Sequence, residues 1–128
     1  MKIAVTSKGK DMSAEVDSRF GRCSYFVIVD VDTEDYRAVE NQNAFVSGGA
    51  GVGSAQFIVE QGVKAVVTGH VGPKALKTLE AAGVEVYTGA SGTIKNALEQ
   101  YKSGKLKAVS EATVSQHFGL NNKKGGSF

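Results

Sequence analysis

The chain has 128 residues, with 15 lysines and arginines against 13 aspartates and glutamates, for a formal charge of +2. That length suits one ordinary domain, long enough to bury roughly two-thirds of its unfolded surface, and the charge is too small to imply nucleic acid. No run approaches the ~20 apolar residues of a membrane-spanning helix, and a single cysteine excludes an internal disulfide, so a reducing, cytoplasmic setting is expected.

The first predicted element is a strand over Lys2–Ser7, too short and too lacking in small residues to read as a leader. A polar loop follows from Lys8 to about Arg19. Tyr25–Val31 is almost wholly apolar and β-branched or aromatic, which suits a central strand covered on both faces. Asp32–Asp35 is a turn, and the more polar, alternating Tyr36–Gln42 reads as an edge strand.

The second half alternates strands with helices. The glycine-rich loop Ser47–Gly53 leads to a helix over Ser54–Gln61, closed by Gly62. Ala65–Thr68 is a short buried strand. Gly72-Pro73 opens the next helix, where proline's missing N–H does no harm; its stripe is Leu76, Leu79 and Ala82, and Gly83 ends it. Val84–Thr88 is a strand. Gly89–Gly92 leads to a third helix over Thr93–Lys102, with Ile94, Ala97, Leu98 and Tyr101 on one face and Gly104 at its end. The pattern β-β-β-α-β-α-β-α predicts a three-layer α/β domain over residues 1–109, with a mixed five-stranded sheet and flanking helices. After Ser110 the sequence turns polar and glycine-rich, and 110–128 is expected to be a flexible tail.

In an open α/β sheet, ligands bind beyond the carboxyl ends of the parallel strands. Three glycine-bearing loops there feed helix N-termini, whose free N–H groups and dipoles favour anions. They supply Gly49 and Gly51, then Gly69, His70 and Gly72, then Gly89, Ser91 and Gly92 as candidate contacts. Short βα loops are often glycine-rich for turn geometry alone, so convergence carries the case. The spacing of Gly48 and Gly53 is that of a phosphate-binding loop, but Ser54 stands where lysine is required. The segment Asp17–Cys23 adds Arg19, Phe20, Gly21 and Arg22 as candidate contacts. Cys23 has two readings: a thiolate metal ligand with its pKa lowered by the arginines, or a small buried hydrophobe. His70 likewise reads as a metal or anion contact or as an ordinary loop histidine. His117 reads as a tail residue. No nucleophile–base pair or zinc-like spacing is present, so no enzyme is expected.

The segments Met1–Ser7, Asp17–Phe26, the glycine-rich loop, Val67–Pro73, Ala82–Thr93 and Tyr101–Leu106, in this order and spacing, resemble the dinitrogenase iron–molybdenum cofactor biosynthesis proteins, a group that includes NifX-type carriers and the C-terminal region of NifB-type proteins. The resemblance spans about residues 1–107. It implies a ribonuclease H-like sheet without ribonuclease activity. It also implies non-catalytic carriage of an iron–molybdenum cofactor, its precursor, or another molybdenum or iron–sulfur cluster between donor and acceptor proteins; the edge strand Tyr36–Gln42 could pair across a dimer, so a monomer or homodimer is expected. Many members have histidine before the Phe-Gly pair; here it is Arg19, which favours electrostatic pairing over ligation. Two alternatives stand beside this: an enzyme acting on a phosphorylated or nucleotide substrate at the same anion site, and a regulatory interaction module.

Overall fold

A computed structural model of the chain describes residues 1–109; the tail expected at 110–128 lies outside the described residues. The strands are β1 (Lys2–Ser7), β2 (Tyr25–Asp30), β3 (Tyr36–Glu40), β4 (Ala65–Val67), β5 (Glu85–Thr88) and β6 (Lys107–Ala108). The helices are α1 (Ala50–Glu60), α2 (Pro73–Ala81) and α3 (Ile94–Lys102). One sheet holds all six strands in the order β3-β2-β1-β4-β5-β6. β1 runs antiparallel to β2 and parallel to β4, with Ile3 opposite both Val29 and Ala65.

Strict alternation along these strands feeds two cores. Ala4, Phe26, Ile28, Val66 and Val86 point to the face covered by α1 and α2 through Ile58 and Leu79. Ile3, Val5, Val27, Val29, Ala65 and Val67 point to the face covered by α3 through Ile94 and Leu98. The central strands are therefore apolar at successive positions because helices lie on both sides of them.

Three sequence expectations are corrected. The sheet has six strands, not five: Lys107 and Ala108 pair antiparallel with Thr88 and Tyr87, and the Val109 N–H donates to the Val86 carbonyl at 2.9 Å. Two paired residues leave too short an alternation to signal a strand. α1 begins at Ala50, not Ser54, so Gly51 and Gly53 lie within the helix. Gly49, at φ 74°, serves as its N-cap in a left-handed conformation that suits glycine. The apolar stripe of α2 is Ala75, Leu76 and Leu79, and Ala82 is exposed.

The helix ends otherwise follow the sequence. Gly62, Gly83 and Gly104 close the three helices with positive φ. Thr93 caps α3, accepting from the Asn96 N–H at 3.1 Å, while the Asn96 side chain accepts from the Thr93 N–H at 3.0 Å. Because β1 and β4 are adjacent and parallel, the segment after β1 and the loop after β4 leave the sheet at the same end. The helix α1 leads into β4, so its N-terminus returns to that end too.

Candidate functional site

At that end lies a cleft of about 500 Å³. One wall is the segment Arg19–Arg22; the others are the first turns of α1 and α2. Eight expected site residues meet there: Arg19, Phe20, Gly21, Arg22, Gly49, Gly51, His70 and Gly72. Lys74 and the short apolar side chains of Ala50, Val52, Pro73 and Ala75 complete the lining.

Backbone contacts hold the cleft together. The His70 N–H donates to the Ser18 carbonyl at 2.8 Å, and the Phe20 N–H donates to the His70 carbonyl at 3.2 Å. This short parallel bridge ties the motif after β1 to the loop after β4. Phe20 itself turns inward, 2 % exposed, with its ring 5.6 Å from that of Phe26. The buried Asn41 amide anchors the same segment. Its Nδ2 donates to the carbonyls of Gly21 at 3.2 Å and Cys23 at 2.9 Å, and its Oδ1 accepts from the Ser54 hydroxyl at 3.2 Å and the Asn43 N–H at 3.1 Å. Sequence reading missed Asn41 and Ser54. The polar run Asn41-Gln42-Asn43 after an edge strand is the only signal that could have found the first.

The cations of the cleft are not equivalent. Arg19 is bound by the buried Asp17 through Nε at 3.2 Å and Nη2 at 3.3 Å, which raises the guanidinium pKa further. Arg22 donates through Nη1 to the carbonyls of Ala44 at 3.0 Å and Val46 at 2.6 Å, pinning the loop that carries the 94 %-exposed Phe45. His70 and Lys74 are exposed, and neither side chain has a hydrogen-bonding or ionic partner among the described residues. Ala50, Gly51 and Val52 in α1, and Lys74 and Ala75 in α2, present first-turn N–H groups with no acceptor among the described residues.

The rest of the expected set lies elsewhere. Gly69 is buried beneath Ser18, where a Cβ would come within 2.7 Å of the Ser18 Cα; its role is close packing. Gly89, Ser91 and Gly92 belong to the loop entering α3, on the opposite face of the sheet. The N–H groups of that helix start are already bound: Ile94 donates to Ala14 O at 2.9 Å, Lys95 to Met12 O at 3.0 Å, and Asn96 to the Thr93 hydroxyl. The Gly92 and Ser91 carbonyls accept from the Val16 N–H and the Gln100 amide. Two helix N-termini converge, not three.

Cys23 is corrected as well. It is fully buried in the core under α1 and α2 and does not line the cleft. Burial, then the charge of Asp17, pushes its thiol up to about 12, against the lowered value expected from neighbouring arginines. The arginines fail to lower it because Asp17 and the Ala44–Val46 carbonyls hold their head groups.

Residues 1–104 match the family described as dinitrogenase iron-molybdenum cofactor. The uncharacterized protein MJ0580 of Methanocaldococcus jannaschii is 30% identical over 109 residues, spanning 83% of this chain and 89% of the relative. The apo form of the orange protein from Desulfovibrio gigas superposes with a TM-score of 0.85 at 35% identity, over 88% of this chain and 96% of that one. A candidate NifB protein from Thermotoga superposes with a TM-score of 0.75 at 36% identity, over 92% and 98% of the two chains. No helix among the described residues is long and apolar enough to cross a membrane.

Proposed function

The chain belongs to the dinitrogenase iron–molybdenum cofactor family, and from that premise we propose that its residues 1–109 carry an anionic metal–sulfur cluster in the cleft without transforming it. The cargo is the iron–molybdenum cofactor, its precursor, or a related molybdenum or iron–sulfur cluster. It passes between donor and acceptor proteins in the cytoplasm, with no part played by nucleic acid, on a monomer or homodimer. The order β3-β2-β1-β4-β5 with β2 antiparallel supports a ribonuclease H-like core, to which β6 is an addition.

One observation carries this reading: the donor set of the cleft. Five main-chain N–H groups at two helix starts line it beside His70, Lys74 and the two arginines, while among the described residues no carboxylate, hydroxyl or thiol lines it. Such a cradle favours a large anion of low charge density whose sulfide faces lie against Ala50, Val52, Pro73 and Ala75. Phosphate would meet the same N–H donors, so it is the short apolar wall beside them that favours a larger, sulfide-faced anion. Among the described residues no cluster of three His, Cys, Asp or Glu side chains could hold a metal ion. In this reading the cluster meets the chain through its outer sulfides, with His70, among the described lining residues, the side chain suited to a metal bond.

Anaerobic purification followed by elemental analysis and visible absorption tests the reading, with tetrathiomolybdate or an iron–sulfur precursor added to protein that arrives empty. Stoichiometric uptake with a new absorption band supports it. Failure to take up any such species sinks it.

A further inference from the structure

Among the described residues, four side chains of the cleft can carry positive charge, yet two are bound by the chain itself. Arg19 is paired with the buried Asp17, and Arg22 is fastened to two carbonyls. Lys74 is the full cation whose head group has no partner among the described residues, and it is exposed on the cleft wall.

The position of Lys74 breaks a local preference. It is the second residue of α2, where the helix dipole favours an acid and disfavours a cation, and the first turn of α2 holds no acidic residue to offset it. Departures of this kind concentrate where function outweighs local stability. The same residue also offers an N–H without an acceptor among the described residues, so side chain and main chain present donors from one turn. Lysine suits a rounded anion. Its ammonium is a compact charge on a flexible stem with three rotatable donors, whereas guanidinium is a planar fork matched to carboxylate and phosphate.

We infer that Lys74 is the residue that recognises the charge of the cargo, the two arginines acting as frame; this rests on the cluster-carrying reading above. The ligand class it selects is a sulfide-faced metallate polyanion, held by an ion pair to Lys74 against the short apolar wall.

The test is anaerobic titration of the full chain with tetrathiomolybdate, followed by visible absorption at low and high ionic strength. The variants are K74Q, K74R and K77Q; Lys77 is exposed on the same helix and does not line the cleft. K74Q should weaken binding about tenfold, the worth of one charge-assisted contact, and should flatten the salt dependence. K74R should regain most of the affinity, and K77Q should stay within about twofold of wild type. The thermal midpoints of K74R and K77Q should match wild type, and that of K74Q should equal or slightly exceed it, since removing the charge relieves the helix dipole. Wild type that binds while K74Q binds equally well overturns this inference alone. Wild type that takes up no tetrathiomolybdate overturns the cluster reading, and the inference with it.

Discussion

Gly21 and Gly51 meet backbone to backbone: a Cβ placed on Gly21 would lie 2.9 Å from both the Cα and the N of Gly51. The relationship is one-sided. A Cβ on Gly51 would meet only the Cβ of Ala75, at 3.4 Å. Gly21→Ala should therefore push the Arg19–Arg22 segment off α1 and lower stability by about 1–3 kcal/mol. Gly51→Ala should stay within about 1 kcal/mol of wild type, helped by the helix preference of alanine. Denaturant unfolding of the two variants checks the asymmetry, and equal losses would refute it.

Asn41 is 3 % exposed and joins Gly21, Cys23, Asn43 and Ser54. Truncating it leaves several buried groups unsatisfied at once. Asn41→Ala should lower stability by roughly 2–4 kcal/mol, while Ser54→Ala, which breaks one arm, should lose about 1 kcal/mol. A double-mutant cycle read by urea unfolding should show coupling between the two positions.

The sealed thiol of Cys23 gives a pH signature. Its folded pKa, about 12, lies above its ordinary 9.0. Between those values the folded chain keeps a proton that the unfolded chain has released, so stability falls as pH rises, by roughly 1.4 kcal/mol per unit. Tyr87, held up by its hydrogen bond to Glu85, and Tyr101, held up by burial, add to the slope with the same sign. Cys23→Ala should be less stable at neutral pH yet lose stability more slowly between about pH 9 and 12. A thiol reagent should leave the folded protein unmodified and label it in urea.

Arg22 holds the Ala44–Val46 turn from below. Arg22→Gln should speed amide hydrogen exchange at Ala44 and Val46 about fivefold, the effect of losing roughly 1 kcal/mol of local hydrogen bonding. Unchanged protection there would show that Asn41 and Asn43, whose carbonyls accept from those two N–H groups, suffice to fix the turn.

Much of this architecture was legible because apolar residues follow sheet and helix periods closely. Ile3 to Val5 and Phe26 to Val29 announce a covered sheet, and Ile94, Ala97 and Leu98 announce α3. What escaped was set by contacts distant in sequence. The first turn of α1 looks like loop because Gly51 and Gly53 are poor helix formers, yet that turn packs against the backbone of Gly21, some thirty residues earlier, and it is Gly21 that the close approach requires. The loop Gly89–Gly92 carries the same local signature as the loop before α2, and only α3 lying on the other face, with Met12 and Ala14 bound to its start, separates them. The environment of Cys23 was misjudged because adjacent arginines in sequence need not aim at it. Lys74 was passed over because a lysine after proline at a helix start carries no motif.

The walls of the cleft are drawn largely in main chain: two helix starts, a glycine against a glycine, and a histidine held by its amide and carbonyl. Main-chain scaffolding is indifferent to most substitutions. Relatives that share only about a third of their residues with this chain can keep the same cavity while the side chains at positions 19, 70 and 74 drift. In such a lineage the shape of the berth is inherited, and its choice of occupant is free to change one side chain at a time.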